Sequence, residues 1–171
     1  MSEEIELVDV YDENIQKTGK IINRKDKELL NENEYIMAVH CWIINSKKQV
    51  LLTQRSLNVN RGGMWEDTHG GAKSGEDSIQ AMKRELSEEL GIKVNDEELK
   101  LVKILKRKNV FRVCFIIVKD ILLDSISFND NEVMDCKYVS LDEFKEIIEK
   151  GESTFKSFSQ TIFSEIDINN I

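Results

Sequence analysis

Three glutamates, Glu85, Glu88 and Glu89, stand close together in the chain, just after a glycine-rich turn containing Gly70, Gly71 and Gly75. Carboxylates crowded in this way repel one another unless a cation sits among them. Hard oxygen ligands suit Mg²⁺ or Mn²⁺, and such ions are what an enzyme needs to handle a diphosphate. Arg84 stands beside the set and reaches Glu88 at the i,i+4 spacing of a helix. A lone Glu-Glu pair would read as an ordinary solvated helix face. The third acid, the arginine and the upstream turn, all in fixed register, favour the metal reading.

Spacing predicts the elements that hold these groups. At about 100° per residue, the three glutamates of a helix share an arc of roughly 100°. Ile79, Met82, Leu86 and Leu90 form an adjacent apolar stripe that faces the core. Asp77 or Ser78 can cap the start, and Gly91 can end the helix in the left-handed conformation. Residues 5–11 alternate like a strand, whereas residues 12–34 read as a polar, irregular extension with a helical turn near Lys27–Leu30. Residues 35–45 and 49–55 predict a hairpin joined by Asn45-Ser46-Lys47-Lys48. A loop with Gly62-Gly63, then Trp65 and a short extended piece, leads into the glycine turn. Strands follow at about 99–107, 110–119 and 132–139, with a small helix at 141–150. A closing amphipathic helix is expected at 154–166, with Phe155, Phe158, Ile162, Phe163 and Ile166 as its stripe. This order predicts one α+β domain over residues 1–171, a mixed β-sheet flanked by helices.

The composition is that of a soluble chain, 40% hydrophobic and 33% charged. No apolar run is long enough for a membrane span, and Met1 to Glu6 lacks the basic-then-apolar order of a signal peptide. The net charge of −8 argues against a long nucleic-acid partner. It leaves room for a small anionic substrate, because bound cations reverse the local field. The three cysteines, Cys41, Cys114 and Cys136, lack metal-type spacing and read as reduced thiols of a cytoplasmic protein.

The segment 70–92 resembles the signature of the Nudix hydrolase family: Gly, five residues, Glu, seven residues, Arg-Glu, an apolar residue, any residue, Glu-Glu, any residue, Gly, an apolar residue. Gly70, Glu76, Arg84, Glu85, Leu86, Glu88, Glu89, Gly91 and Ile92 fill every defined place. The resemblance implies an α/β/α sandwich. It extends through Val10-Tyr11-Asp12-Glu13, Gln54-Arg55-Ser56, Gly63-Met64-Trp65 and Tyr138-Val139-Ser140-Leu141-Asp142-Glu143, a set that looks like the branch related to isopentenyl-diphosphate isomerase. That isomerase needs a cysteine just before the box glycine and a metal site with several histidines. Here that residue is His69, and His40 is the only other histidine. The chain therefore reads as isomerase-like in layout and hydrolytic in chemistry, with a catalytically silent nucleotide sensor as a further alternative.

The implied reaction is metal-dependent hydrolysis of a phosphoanhydride in a nucleoside diphosphate or its derivative. The resemblance makes Glu85 and Glu89 the surest ligands of Mg²⁺ or Mn²⁺. Glu88 either binds metal or accepts the water's proton, and the His69 backbone carbonyl is a further candidate ligand. Gly70, Glu76 and Arg84 support the site. Arg55 and Lys73 either meet a phosphate or remain solvated charges, and Arg61 carries the same ambiguity. Trp65 either stacks on a base or packs in the core. Glu132 occupies a place where the family often has a late acid, and here it reads as structural. His40 reads as a hydrogen-bonded sheet residue. Many members of that family are dimers, so a homodimer stays open, although no stretch of the chain marks its surface.

Overall fold

The run Ile36–Ile44 is apolar on both sides apart from His40, and a strand of that kind belongs in the middle of a sheet. The computed structural model describes residues 5–157, 161, 164, 166–168 and 171. Its elements are β1 (Leu7–Tyr11), β2 (Lys17–Asn23), β3 (Ile36–Ile44), β4 (Val50–Arg55), β5 (Trp65–Glu66) and β6 (Thr68–Gly71), then helix α1 (Ser78–Leu90). β7 (Lys100–Arg107), β8 (Val110–Val118), β9 (Val133–Val139) and α2 (Leu141–Glu149) complete them. β3 lies at the centre, parallel to β8 from Ile36↔Val110 to Ile44↔Val118 and antiparallel to β6. β7 extends the sheet beyond β8, and β4 carries β5 and β9.

Alternation along these strands separates two cores. Val39, Cys41, Ile43, Val113 and Phe115 meet Ala81, Met82, Leu86 and Leu90 of α1 on one face. Trp42, Ile44, Leu52 and Ile116 meet Phe144, Ile147 and Ile148 of α2 on the other. Each such side chain contributes about 1.5–3 kcal/mol by leaving water. The architecture is the expected α+β arrangement, an α/β/α sandwich around a mixed sheet. Among the described residues no helix is long and apolar enough to cross a membrane.

Three expectations need correction. The polar extension at 12–34 contains β2, which pairs antiparallel with β1. Only Ile22 of β2 is buried, so the strand carries little apolar signal, and its pairing depends on its neighbour. The hairpin at 35–55 exists only at its base, where Ile44 faces Val50. Asn45 Oδ1 closes that turn by accepting from the Lys47 and Gln49 amides. β3 and β4 then part, because β6 takes the edge of β3 and β9 takes that of β4. The closing helix fails where it is described. Residues 152–154 run along β5, with Trp65 N–H donating to the Glu152 carbonyl and Thr154 N–H to the Trp65 carbonyl. Phe155 and Ile166 pack on the α2 core, whereas Phe158, Ile162 and Phe163 lie outside the described residues.

Candidate active site

Helix α1 begins at a capping box, in which Asp77 accepts from the Gln80 amide and Gln80 returns a bond to the Asp77 amide. It ends at Gly91, with φ of 67° and an amide that donates to the Leu86 and Ser87 carbonyls. Between these caps Arg84 acts as a clamp. Its Nε donates to Glu76 Oε1 at 2.7 Å. Its Nη1 donates to Glu85 Oε1 and Glu88 Oε2, each at 2.9 Å, and its Nη2 to the Gly71 carbonyl at 2.8 Å. Burial opposes the arginine's charge, yet these acids raise its pKa further. Glu76 also accepts from the Lys73 amide at 2.8 Å and so braces the turn. Burial alone would raise the Glu76 pKa, and Arg84 turns the shift downward.

Gly70 sits beneath Glu85. A Cβ at this position would overlap the Glu85 carboxylate, so the strand can pass so close only as glycine. Glu85 and Glu89 are both buried. Burial raises both pKas, Glu89 strongly, and neighbouring carboxylates add to the rise in each. Glu88 is half exposed at the rim, with Lys73 Nζ at 3.8 Å. Arg84 joins Glu85 and Glu88, whereas among the described residues the acids that gather with Glu89 within 4.8 Å are Asp130 and Glu132. Glu85 and Glu88 line a cavity of about 670 Å³ together with Arg24, Arg55 and Lys73.

The same region holds acids and a cation that sequence reasoning underweighted. Asp130 and Glu132 approach Glu89, with one oxygen of each within 4.8 Å of the others. The chain leading to them is tied to the end of α1. The Ser127 amide donates to the Leu90 carbonyl, the Asn129 amide to the Glu88 carbonyl, and Asn129 Nδ2 to the Ser87 carbonyl. The i,i+2 spacing of Asp130 and Glu132 ahead of a strand was the available signal, since such residues share a side. Arg24, paired with Glu6 at 3.0 Å, also lines the cavity, and it lies in the segment expected to be irregular.

β6 carries Gly70 and His69 to opposite faces. His69 and His40 are cross-strand partners, and their rings stack with centroids 5.0 Å apart and planes 9° from parallel. Asp67 is buried between them and Trp42. It lies 3.1 Å from His40 Nδ1 and accepts from Trp42 Nε1 at 3.1 Å. Burial would raise the Asp67 pKa, but the two histidines hold it well below the ordinary value. His40, Asp67 and His69 have donor atoms within 4.8 Å of one another. Ring-nitrogen lone pairs lie in their own ring planes, so parallel stacked imidazoles do not aim at one ion. This cluster is a hydrogen-bonded sheet feature, as expected for His40.

Arg55 Nη1 donates to Glu66 Oε1 at 2.6 Å and its Nε to the Asn60 carbonyl. Among the described residues Glu66 Oε2 is buried without a hydrogen-bond partner, 3.9 Å from His69 Nε2. Trp65 does not line the cavity beside α1. It packs beside the α2 core under Lys137 Nζ, 3.9 Å from its ring centre. The thiols of Cys41 and Cys114 are buried and unpaired, and burial pushes the Cys114 pKa up to about 12. Neither Cys41 nor Cys114 lines the cavity beside α1.

A mixed sheet thus lies between two helices, with an acid-bearing helix packed on a glycine strand. The NUDIX domain family matches residues 34–160, and the chain belongs to the Nudix family. It is 29% identical to an uncharacterized Nudix hydrolase of Listeria monocytogenes over 91% of this chain and 92% of that protein. An isopentenyl-diphosphate Delta-isomerase of Pectobacterium atrosepticum is 27% identical over 92% of this chain and 89% of its own. A crystal structure from Deinococcus radiodurans superposes with a TM-score of 0.71 at 21% identity, covering 86% of this chain and 91% of that one. At that identity the likeness speaks for the fold.

Proposed function

We propose that this chain hydrolyses a phosphoanhydride in a nucleoside diphosphate or nucleoside diphosphate derivative, with Mg²⁺ or Mn²⁺ as cofactor. The observation that carries the reading is the buried Glu85–Glu89 pair, of which Glu85 is held over Gly70 by Arg84. Left alone, the pair is electrostatically costly, and its oxygens are the donor type that a hard cation takes. Glu85, Glu88 and Glu89 would hold the ion, with the His69 carbonyl as a further ligand. Bound there, the ion would offset charge on the diphosphate oxygens and acidify a water.

The chain's own groups do the rest. Arg84 fixes the directions of Glu85 and Glu88, while Glu76 keeps Arg84 in place. Arg24, Arg55 and Lys73 present positive charge to a diphosphate entering the cavity. A carboxylate of the Glu89–Asp130–Glu132 group accepts the proton of the attacking water.

The test is an assay of sugar nucleotides, dinucleotides and nucleoside diphosphates with Mg²⁺, with Mn²⁺ and with chelator. Glu85→Gln and Glu89→Gln variants run beside the parent. Hydrolysis that needs the ion and is lost in both variants is expected. Variants as fast as the parent would sink the assignment.

The similarity to an isopentenyl-diphosphate isomerase favours one second reading, double-bond migration in a prenyl diphosphate. Against it, position 69 holds histidine, and Cys41 and Cys114 are buried away from the cavity. Incubation with isopentenyl diphosphate should return it unchanged.

A further inference from the structure

The turn between β6 and α1 needs support from outside itself. Residues 72–77 belong to no strand or helix, and Gly75 adopts a φ of 93°. Glycine in an irregular segment loses more freedom on ordering than any other residue. Within the turn, the Lys73 amide donates to Glu76 Oε2 and the Glu76 amide to the Lys73 carbonyl.

Further support comes from the hairpin of β1 and β2, which shares no residue with the acidic helix or its glycine turn. The Arg24 guanidinium rests on Gly71, where a Cβ would stand 2.9 Å from it. The Ser74 amide donates to the Leu7 carbonyl at 2.8 Å. Ser74 Oγ donates to Asp9 Oδ1 at 2.8 Å, and the Gly75 amide to Asp9 Oδ2 at 2.9 Å. Lys17 Nζ lies 2.7 Å from Asp9 Oδ2 and donates to the Glu76 carbonyl at 3.3 Å.

Asp9 is the centre of this clasp, with both oxygens engaged by the turn. Burial would raise its pKa, yet Lys17, Gly75 and Ser74 bring it below the ordinary value, so the bonds are made by a carboxylate. The hairpin is itself fixed to the sheet. Val8, Val10 and Ile22 pack with Ile36 at the start of β3. Tyr11 and Tyr35 exchange amide-to-carbonyl bonds of 2.7 and 2.9 Å.

A continuous line of bonds leads from this clasp to the metal-binding acids. Ser74 and Gly75 adjoin Glu76, whose carboxylate holds Arg84, and Arg84 in turn holds Glu85 and Glu88. We propose that Asp9 is a positioning residue of the site, acting through Ser74, Gly75 and Glu76 to set the Glu85 and Glu88 carboxylates for a divalent ion. The role rests on the metal reading of those glutamates and is independent of which diphosphate is cleaved.

Three measurements on the full chain test it: calorimetry of Mn²⁺ binding without substrate, amide exchange at Gly75, and kcat and KM on the diphosphate that the parent hydrolyses best. Outer partners of metal ligands carry about 10–100-fold in affinity or activity. Asp9 stands further out, so Asp9→Ala should weaken Mn²⁺ binding by about tenfold and lower kcat by a similar factor. KM should hardly change, and exchange at Gly75 should quicken. Ser74→Ala removes one of the two side-chain bonds and should act in the same direction by less; it serves as the second variant should Asp9→Ala fail to fold. Lys20→Gln controls for a weakened hairpin, because the Lys20 bonds go to Leu29 and Glu34 rather than to the turn. It should leave Mn²⁺ affinity and kcat unchanged. Parental Mn²⁺ affinity in both Asp9→Ala and Ser74→Ala, a loss confined to KM, or an equal loss in Lys20→Gln would overturn the positioning role. Weakened Mn²⁺ binding in Asp9→Ala, with no diphosphate hydrolysed by the parent, would uphold that role and overturn the hydrolase reading instead.

Discussion

The Glu85 carboxylate lies over Gly70, in the space that any larger residue would need for its Cβ. Placing one methyl there forces either the side chain or β6 to move. Overpacking of this kind costs about 1–3 kcal/mol. Displacing a reacting group by an ångström costs on the order of 10²-fold in rate. Gly70→Ala should therefore lower Mg²⁺-dependent kcat/KM by about that factor while the protein stays folded. Thermal melts run beside the kinetics check this, and full activity in a folded variant would contradict the close approach.

The buried acids give a pH signature. The folded-state pKas of Glu85 and Glu89 are raised above their ordinary value of 4.5, chiefly by burial. Their stabilising contribution is complete below that value and is lost as the pH rises through the folded pKas. With chelator present, the melting temperature should fall as the pH climbs from about 4 to about 8. Added Mg²⁺ should recover it at the upper end, because a cation takes the proton's place. In Glu89→Gln the fall should shrink. Calorimetric melts across pH, with and without the ion, measure all three, and a flat chelated profile would count against the burial argument.

Arg84 is a planar fork engaged with three acids and a carbonyl. Lysine keeps the charge and loses the fork. Arg84→Lys should cost roughly 2 kcal/mol in urea denaturation, discounted because the side chain is partly exposed. It should lower kcat more than it raises KM, since the guanidinium orients glutamates. An effect confined to KM would place Arg84 on the substrate instead.

Asp67 serves Trp42 and His40 from inside the sheet. Asp67→Ala leaves both donors buried without an acceptor, a loss of about 2–4 kcal/mol. Asp67→Asn keeps one acceptor oxygen and should cost less. The Asp67 pKa is lowered, so its contribution is present above the ordinary value of 3.8 and fades as the pH falls through the folded one. Urea titrations at neutral and acid pH measure both effects.

How far the sequence foretold this structure depended on where each signal resides. The stripe Ile79, Met82, Leu86 and Leu90, the caps at Asp77 and Gly91, and the Arg84 clamp were all legible, because helix periodicity is local. The sheet was legible as strands and illegible as pairings. Nothing within Ile36–Ile44 states that β8, far away in the chain, lies parallel to it. β2 was missed because its partner supplies its stability. Asp130 and Glu132 were underweighted because their approach to Glu89 comes from the tether to the end of α1, which spacing alone does not show. The two faces of β6 are a plain consequence of strand alternation.

The bonds from Ser127 and Asn129 to the last carbonyls of α1 make that helix a ruler. They set how far along the molecule Asp130 and Glu132 begin, so one residue inserted into α1 would swing the anchor by about 100°. The late acids would leave the neighbourhood of Glu89. The count of residues from Ser78 to Leu90 therefore admits no drift.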